Sequence, residues 1–246
     1  MCWGWWDDGM RAPRSVDAME MEAASGLRNR YWVLRHGKSV SNERGLVVSS
    51  LENGTLPEYA LASDGVDQAR MAGELFLQAL KENNIPLENV RICYSPFART
   101  SHTARVVASV LNIPFEGPQC KVVVDLRERY FGPSFELKSH DKYTEIWALD
   151  EKDPFQRPEG GECVDDVASR LAKAMVNIET KFQGCAVLIV SHGDPLQILQ
   201  TIVCAAKQEI PNNNEFSSSI QATRTFAVLS QHRKFALLTG ELRALA

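Results

Sequence analysis

The sequence predicts an α/β protein with one domain, in which a mostly parallel sheet is flanked by helices on both faces and has an antiparallel edge strand and a lid insertion. Short apolar runs alternate with longer stretches in which apolar residues recur every three or four positions, a pattern typical of strands followed by helices. No repeat, low-complexity block or linker interrupts the chain after residue 30. Strands that alternate with helices build parallel sheets covered on both faces. We therefore expect one domain over residues 30–246.

Six short apolar runs are predicted to be strands. They are residues 31–34, 90–94, 121–124, 186–190, 225–230 and 234–238. A short polar turn separates the last two runs, so we expect them to pair as an antiparallel hairpin at one edge of the sheet.

Four helices are predicted between these runs, at residues 64–80, 98–111, 164–182 and 195–206. Ser63 is suited to cap the first helix. Asp194 is suited to cap the fourth, and Pro195 then takes its first helical position. The segment 129–162 is less regular, and an insertion of this length after the third strand is predicted to form a lid over the strand ends.

The composition of the chain argues against several classes of function. Its 246 residues have a formal net charge of −4, which disfavours a general binder of nucleic acids or anionic membranes. No apolar run approaches the roughly 18 residues that a membrane span needs. Six scattered cysteines without a CxxC spacing favour small core residues in a reducing compartment. We expect a cytoplasmic protein without nucleic-acid or membrane partners, and the oligomeric state stays open.

The first 29 residues are predicted to be a flexible tail. They contain three tryptophans, Trp3, Trp5 and Trp6, but they lack the basic start and the apolar stretch of a secretory signal. A docking segment rich in tryptophan is the alternative interpretation.

Two predicted strands end in a histidine followed by a glycine. The first leads to Arg35, His36 and Gly37, and the second leads to His192 and Gly193. Ligands of open α/β sheets bind at the carboxyl ends of the strands. An arginine offers a planar fork that matches phosphate oxygens, and a neutral imidazole beside it can attack phosphorus. This pattern predicts a small site for an anion.

Charged residues also follow two other predicted strands. Arg99 lies in the first turn of a predicted helix, where the helix dipole disfavours a cation unless an anion is bound there. Glu128 follows the third strand and is suited to protonate a leaving alkoxide. Arg127 and Arg129 flank this glutamate, and they are candidates either for a second acidic group of the substrate or for ordinary ion pairs.

Taken together, these motifs resemble the histidine phosphatase superfamily, which includes cofactor-dependent phosphoglycerate mutases and many phosphatases. The matching segments are 33–37 with Asn42, 95–100 with Thr103 and Ala104, 126–128, 160–163 with Asp166, and 190–193. They occur in the order of the family and extend from about residue 31 to residue 230.

The resemblance implies a reaction that needs no metal and no cofactor. His36 would be the nucleophile that becomes phosphohistidine, and Glu128 would be the proton donor. The phosphate pocket and the substrate contacts would be formed by Arg35, Asn42, Arg99, Arg129, His192 and Gly193. The five histidines of the chain show no spacing typical of metal ligands.

The chain departs from the family pattern outside these catalytic positions. Lys38 stands where glutamate or glutamine is frequent, Cys163 where serine is common, and Asp194 where a small apolar residue is usual. Ser49 and Ser50 are the candidates for a serine–glycine substrate contact that has no clear match. These departures concern substrate contacts.

Three functions are compatible with this pattern. The leading interpretation is a phosphatase of phosphate monoesters, acting on a small phosphorylated metabolite or a phosphoprotein. A mutase of the phosphoglycerate type is favoured by the string 128–132, but the segment 133–161 has few basic residues for gripping a bisphosphate. A phosphate-binding module without catalysis is the third possibility, although a pure binder would not need the acid Glu128.

Overall fold

The computed structural model describes residues 27–208 and 216–245. Within these residues, five strands form one sheet: β1 (Arg30–Arg35), β2 (Val90–Tyr94), β3 (Cys120–Val122), β4 (Ala186–Ser191) and β5 (Leu242–Leu245). The strand order is β3-β2-β4-β1-β5. The first three neighbouring pairs are parallel, and β5 is antiparallel to β1. This mostly parallel sheet confirms the predicted fold class.

The described part of the chain contains nine α-helices. They are α1 (Val40–Glu43), α2 (Leu51–Gly54), α3 (Ser63–Glu82), α4 (Ala98–Val110), α5 (Tyr143–Lys152), α6 (Val164–Lys181), α7 (Gly193–Gln208), α8 (Phe216–Ala222) and α9 (Phe226–Leu229). Short 3-10 turns lie at Pro57–Tyr59, Leu87–Asn89, Val124–Leu126, His140–Lys142 and His232–Phe235.

The side chains of the central strands alternate between two cores. In β1, Tyr31 and Val33 pack into one core together with residues of α6, α7 and α8. Trp32 and Leu34 pack into the other core, with residues of α3 and α4. Successive strand residues point to opposite faces of a sheet, so both faces are covered by helices. All six residues of β4 are buried for the same reason.

Four of the six predicted strands are confirmed as β1 to β4, with small differences at their ends. The predicted hairpin at 225–230 and 234–238 is wrong, because these segments form α9 and a 3-10 turn. A short apolar run does not distinguish a strand from a buried helical turn. Here Leu229 and Leu237 complete the core beside α7. The antiparallel edge strand is β5 instead.

The four predicted helices are confirmed as α3, α4, α6 and α7. The predicted caps are wrong: α3 begins at Ser63 itself and has no side-chain cap, and α7 begins at Gly193, so Asp194 lies in its first turn. At the start of α6, Cys163 takes the place of the serine expected from the family pattern. Its Sγ accepts from the amide of Asp166, whose carboxylate accepts from the amide of Cys163, and the two bonds form a capping box.

Most of the predicted flexible tail lies outside the described residues. Its last three residues are described, and Leu27 and Asn29 are buried. The side-chain amide of Asn29 donates to Glu179 near the end of α6, so the folded part begins before residue 30. Among the helices that the structure describes, none combines the length and the apolar character needed to cross a bilayer.

The predicted lid segment, 129–162, packs on the loop that follows α1. Phe131 and Ile146 of the lid form a small separate core with Val47. The amide of Val47 donates to the carbonyl oxygen of Lys138, and its own carbonyl accepts from the amide of Leu137. The lid contains α5 and is anchored beside the carboxyl ends of the strands.

The register of the sheet brings three strand ends together. Arg35 of β1 lies opposite Ser191 of β4, and Tyr94 of β2 lies opposite Val190. The residues that leave these strands therefore start from neighbouring positions at one edge of the sheet. This edge is where open α/β sheets bind their ligands.

Candidate active site

His36 lies buried at the end of β1. Its Nδ1 is 2.8 Å from the carbonyl oxygen of Gly37. A carbonyl oxygen can only accept, so Nδ1 has the hydrogen and Nε2 keeps its lone pair. Burial and the neighbouring charges of Arg99 and Arg35 hold the pKa of His36 well below its usual value. The ring is therefore neutral at physiological pH, with a free lone pair on Nε2.

Arg99 lies in the first turn of α4 and points at this imidazole. Its Nε donates to Nε2 of His36 over 3.1 Å. Its Nη2 donates to the carbonyl oxygen of Val48 over 3.0 Å and lies 3.4 Å from Oε2 of Glu128. One buried guanidinium thus contacts the histidine, the glutamate and the loop on which the lid packs.

His192 follows β4 and faces His36, with ring centroids 5.3 Å apart. Its Nε2 lies 2.8 Å from Oγ of Ser95, the first residue after β2. If the serine hydroxyl donates in this bond, the hydrogen of the imidazole is on Nδ1, which lies 3.6 Å from Oε2 of Glu128. Burial and the charge of Arg99 lower the pKa of His192, so the ring is neutral.

Glu128 is the fourth residue of the cluster and lies in the segment that follows β3. Its Oε1 accepts from the amide of Arg129 over 3.1 Å, and its Oε2 faces Arg99 and His192. Burial raises the pKa of Glu128 to about 7 against the opposing charge of Arg99, and the charge of Asp194 adds to the rise. A carboxyl group with this pKa can both give and take a proton near neutral pH.

Arg35 and Gly193 lie side by side at the edge of the site. Nη1 of Arg35 donates to the carbonyl oxygen of Leu237 over 2.7 Å. A Cβ atom at Gly193 would lie 3.4 Å from Nε of Arg35. The glycine therefore allows α7 to begin directly against the guanidinium.

Three buried polar atoms in this cluster have no hydrogen-bond partner: Nε of Arg35, Nη1 of Arg99 and Nδ1 of His192. Buried polar groups in folded proteins are almost always paired, because an unpaired group loses its interaction with water without compensation. The three atoms belong to residues grouped around His36. An anion with several oxygens, such as phosphate, can accept hydrogen bonds from groups of this kind.

Three predicted substrate contacts have partners within the protein. The side-chain oxygen of Asn42 accepts from the amide and the hydroxyl of Ser39 and thereby caps α1. Ser49 and Ser50 both donate through amide and hydroxyl to the carboxylate of Glu136 in the lid. These three residues shape the loop beside the site.

The two arginines that flank Glu128 form ion pairs within the protein, which is the second of the two roles predicted for them. The side chain of Arg129 is fully buried, and its donors are used by Asp150, Asp194 and the carbonyl oxygen of Glu162. These bonds use four of the five N–H groups of the guanidinium, so the side chain has an internal role in this structure, and its contact with substrate stays a prediction. Arg127 pairs with Glu162 over 2.8 Å.

Sequence reasoning missed groups that orient the site. The hydroxyl of Ser95 contacts His192, and it stands in a matched segment, so the motif itself was a signal. The carbonyl oxygens of Val48 and Leu237 hold Arg99 and Arg35. Backbone carbonyls leave no signal in the residue types.

One group among the described residues has the donor set of a metal site. The ligand atoms of Asp150, Asp194 and His232 lie within 4.8 Å of one another. However, Nη1 of Arg129 is 2.7 Å from one aspartate oxygen and 3.1 Å from the other. The guanidinium supplies the positive charge of this group, and the residues present do not fit a resident metal ion.

Comparisons with known proteins agree with the fold. A family model for the histidine phosphatase superfamily (branch 1) matches residues 31–239. A mycobacterial glucosyl-3-phosphoglycerate phosphatase is 20% identical with a TM-score of 0.58, over 87% of this chain and 88% of that chain. Its complex with VO3 aligns at 19% identity with a TM-score of 0.60, over 87% of this chain and 90% of that chain.

A third solved structure with this fold is the α-ribazole phosphatase of Shigella flexneri. It is 23% identical with a TM-score of 0.53, over 87% of this chain and 89% of that chain. No curated protein sequence matches at a significant level. At these identities the solved structures show the fold alone, whereas the family model covers most of the chain and includes His36, Arg99, Glu128 and His192. The chain therefore belongs to branch 1 of the histidine phosphatase superfamily.

Proposed function

We propose that this protein is a metal-independent phosphatase that hydrolyses phosphate monoesters through a phosphohistidine intermediate. The observation that supports this best is the set of three unpartnered buried nitrogens, on Arg35, Arg99 and His192, around the neutral imidazole of His36. A phosphoryl group presents three oxygens that accept hydrogen bonds. The arrangement thus offers both the anion pocket and the nucleophile.

In the first step, Nε2 of His36 attacks phosphorus in line with the leaving oxygen. The nitrogen–phosphorus bond forms as the phosphorus–oxygen bond breaks, and protonated Glu128 gives its proton to the leaving oxygen, so that the alcohol departs neutral. Arg35, Arg99 and His192 hold the phosphoryl oxygens. Because Nε of Arg99 donates to Nε2 in the structure, this donor has to turn to a phosphoryl oxygen as the nucleophile attacks.

In the second step, water attacks the phosphorus of phosphohistidine. The carboxylate of Glu128 takes a proton from the water, and the electron pair of the nitrogen–phosphorus bond returns to Nε2 of His36. Inorganic phosphate leaves, and both side chains are back in their starting protonation states. The pKa of about 7 for Glu128 suits this exchange of acid and base roles.

Hydrolysis is favoured over a mutase reaction by the place of Arg129. A mutase that holds a bisphosphate needs positive charge for a second anionic group. Arg129 is buried and paired with Asp150 and Asp194, and Lys38 pairs with Asp64 and Glu43. These two basic side chains are therefore already paired with carboxylates of the protein, Arg129 in the interior and Lys38 at the surface.

We extend the proposal to a small phosphorylated metabolite as substrate and to the cytoplasm as location. The mycobacterial and Shigella phosphatases are named after small molecules, glucosyl-3-phosphoglycerate and α-ribazole, which favours a metabolite over a phosphoprotein. Five cysteines of the described residues are free, which suits a reducing compartment.

The test is hydrolysis of p-nitrophenyl phosphate with a chelator present, comparing the wild type with His36→Ala. The substitution removes the nucleophile, so we expect turnover to fall at least about 10⁴-fold and labelling of the protein by ³²P-phosphate ester to vanish. The matched control is His102→Ala on α4, a partly exposed histidine outside the site, which should keep full activity.

Retained turnover in His36→Ala would contradict the proposed nucleophile. Loss of wild-type activity on adding the chelator would indicate a metal mechanism. Activity that appears only with a bisphosphate primer would favour the mutase, and phosphate binding without turnover or labelling would favour the binding module.

A further inference from the structure

A buried ionic network lies behind the proposed acid and joins three separate parts of the chain. The two outer nitrogens of Arg129 donate to both carboxylate oxygens of Asp150 in α5, at 2.7 and 2.8 Å. Nη1 also donates to Asp194 in the first turn of α7 over 3.1 Å, and Nε donates to the carbonyl oxygen of Glu162 over 2.8 Å. His232 lies against both aspartates, 3.8 and 3.9 Å away.

The backbone of Arg129 is also the part of the protein that holds Oε1 of Glu128, through its amide. A side chain fixed at four points restricts the position of its own backbone. The network therefore determines where the amide of Arg129 lies and where it holds the glutamate. The network also reaches the lid helix α5 through Asp150. It reaches the segment of His192 through Asp194, which follows that histidine by two residues.

We propose that Arg129, Asp150 and Asp194 are positioning residues that hold Glu128 in place for proton transfer and keep its environment negative enough for it to act as an acid. This inference rests on the proposed phosphatase function. It assigns a role to Asp194, which departs from the family pattern. It also makes proton transfer depend on how the lid helix α5 packs against Arg129.

The charge of Asp194 is the part of the network that affects proton transfer most directly. The titratable and charged groups around Glu128 are Arg35 of β1, Arg99 of α4, Tyr143 of α5, Arg170 of α6, His192, and Asp194 of α7. Asp194 is the negatively charged member of this set, and its charge raises the pKa of Glu128. The arginines oppose it, so removal of this charge should favour the carboxylate form.

The first experiment measures the pH dependence of kcat/KM for phenyl phosphate in the wild type and in Asp194→Asn. We expect the descending alkaline limb to move to lower pH by at least about half a unit. Asp165→Asn is the matched control, because Asp165 also lies in the first turn of a helix and pairs with an arginine, Arg224. An unmoved limb in Asp194→Asn, or the same movement in the control, would overturn the inference.

The second experiment tests the lid end of the network with Asp150→Asn. We expect kcat on phenyl phosphate to fall at least about tenfold with a smaller loss on p-nitrophenyl phosphate, because only the poorer leaving group needs the proton. Glu145→Gln, an exposed change on the same helix, should alter neither rate. Equal losses on both substrates would indicate a merely structural role and overturn the inference.

A failure of the proposed function is distinguishable from a failure of this inference. If the wild type does not turn over either ester, the proposed function fails. The pKa of Glu128 is then followed by carboxyl ¹³C NMR, with Glu128→Gln identifying the signal. A lower pKa in Asp194→Asn than in the wild type would still support the network, and an equal pKa would overturn it.

Discussion

Among the individual residues of the site, Glu128 decides the expected pH dependence. Burial raises its pKa to about 7, so the carboxyl group is protonated below this value and charged above it. Burial has the opposite consequence for His36, whose pKa is lowered and whose ring stays neutral. The first step needs a neutral His36 and a protonated Glu128. Both conditions are met at pH values above the low pKa of His36 and below about 7.

We expect the rate on phenyl phosphate to fall as the pH rises above about 7, because the acid is then deprotonated. Glu128→Gln cannot donate this proton, so its rate should be about 10²–10⁴-fold lower and should lack the alkaline limb. The loss on p-nitrophenyl phosphate should be much smaller, since nitrophenolate leaves without a proton. Comparing the two proteins on each ester cancels the titration of the substrate itself, and equal losses on both esters would contradict the role as acid.

At the scale of the elements, the amino end of α3 determines where the turn after His36 lies. A Cβ atom on Gly65 would lie 2.0 Å from the carbonyl oxygen of Lys38, and one on Gly37 would lie 2.2 Å from the carbonyl oxygen of Gly65. Two backbones are therefore in direct contact. The glycines allow the helix to pack on the turn that leads away from His36.

We expect Gly65→Ala to push α3 away from this turn and to displace His36. The cost should be about 1–3 kcal/mol of unfolding free energy and at least about tenfold in kcat/KM. Urea unfolding and p-nitrophenyl phosphate kinetics measure the two effects. Gly73→Ala on the same helix is the control, because its Cβ would lie 3.1 Å from Cβ of Val110, a far milder contact than 2.0 Å from a backbone oxygen. A Gly65→Ala protein with wild-type kinetics would contradict this coupling.

At the scale of the whole molecule, the carboxyl and amino ends of the strands have different roles. The carboxyl ends of the strands hold the site. At the amino end of β1, Glu179 of α6 accepts from the amide of Arg28, the side-chain amide of Asn29 and the hydroxyl of Tyr31. This cluster joins the first described residues of the chain to a helix about 150 positions later.

We expect Glu179→Ala to lower the unfolding free energy by about 2–4 kcal/mol, because it leaves several buried donors without an acceptor. The kcat of the folded protein should not change, since the cluster lies at the opposite end of β1 from His36. Glu179→Gln keeps the size and one acceptor oxygen, so its loss should be smaller. Urea unfolding of the three proteins tests this, and a large fall in kcat would contradict the separation of the two sheet ends.

The prediction from sequence succeeded where local pattern and tertiary structure agree. The apolar runs of β1, β2 and β4 are buried on both faces and end at the predicted edge. The segments 225–230 and 234–238 failed because short apolar runs form either strand or helical turn, and their packing against α7 decided between the two. The strand that does form at this edge is β5.

The amino-acid sequence by itself determined the order of the elements and the residue types that reach the site, because strand and helix periodicities and the glycine turns are local properties. Tertiary structure alone decided the partners of those residues. Arg129 follows Glu128 directly, yet it pairs with Asp150 and Asp194, 21 and 65 positions later in the chain. Whether an arginine meets a substrate or an internal carboxylate depends on which distant segments pack around it. The local sequence pattern cannot specify these partners, because only folding brings Arg129, Asp150 and Asp194 together.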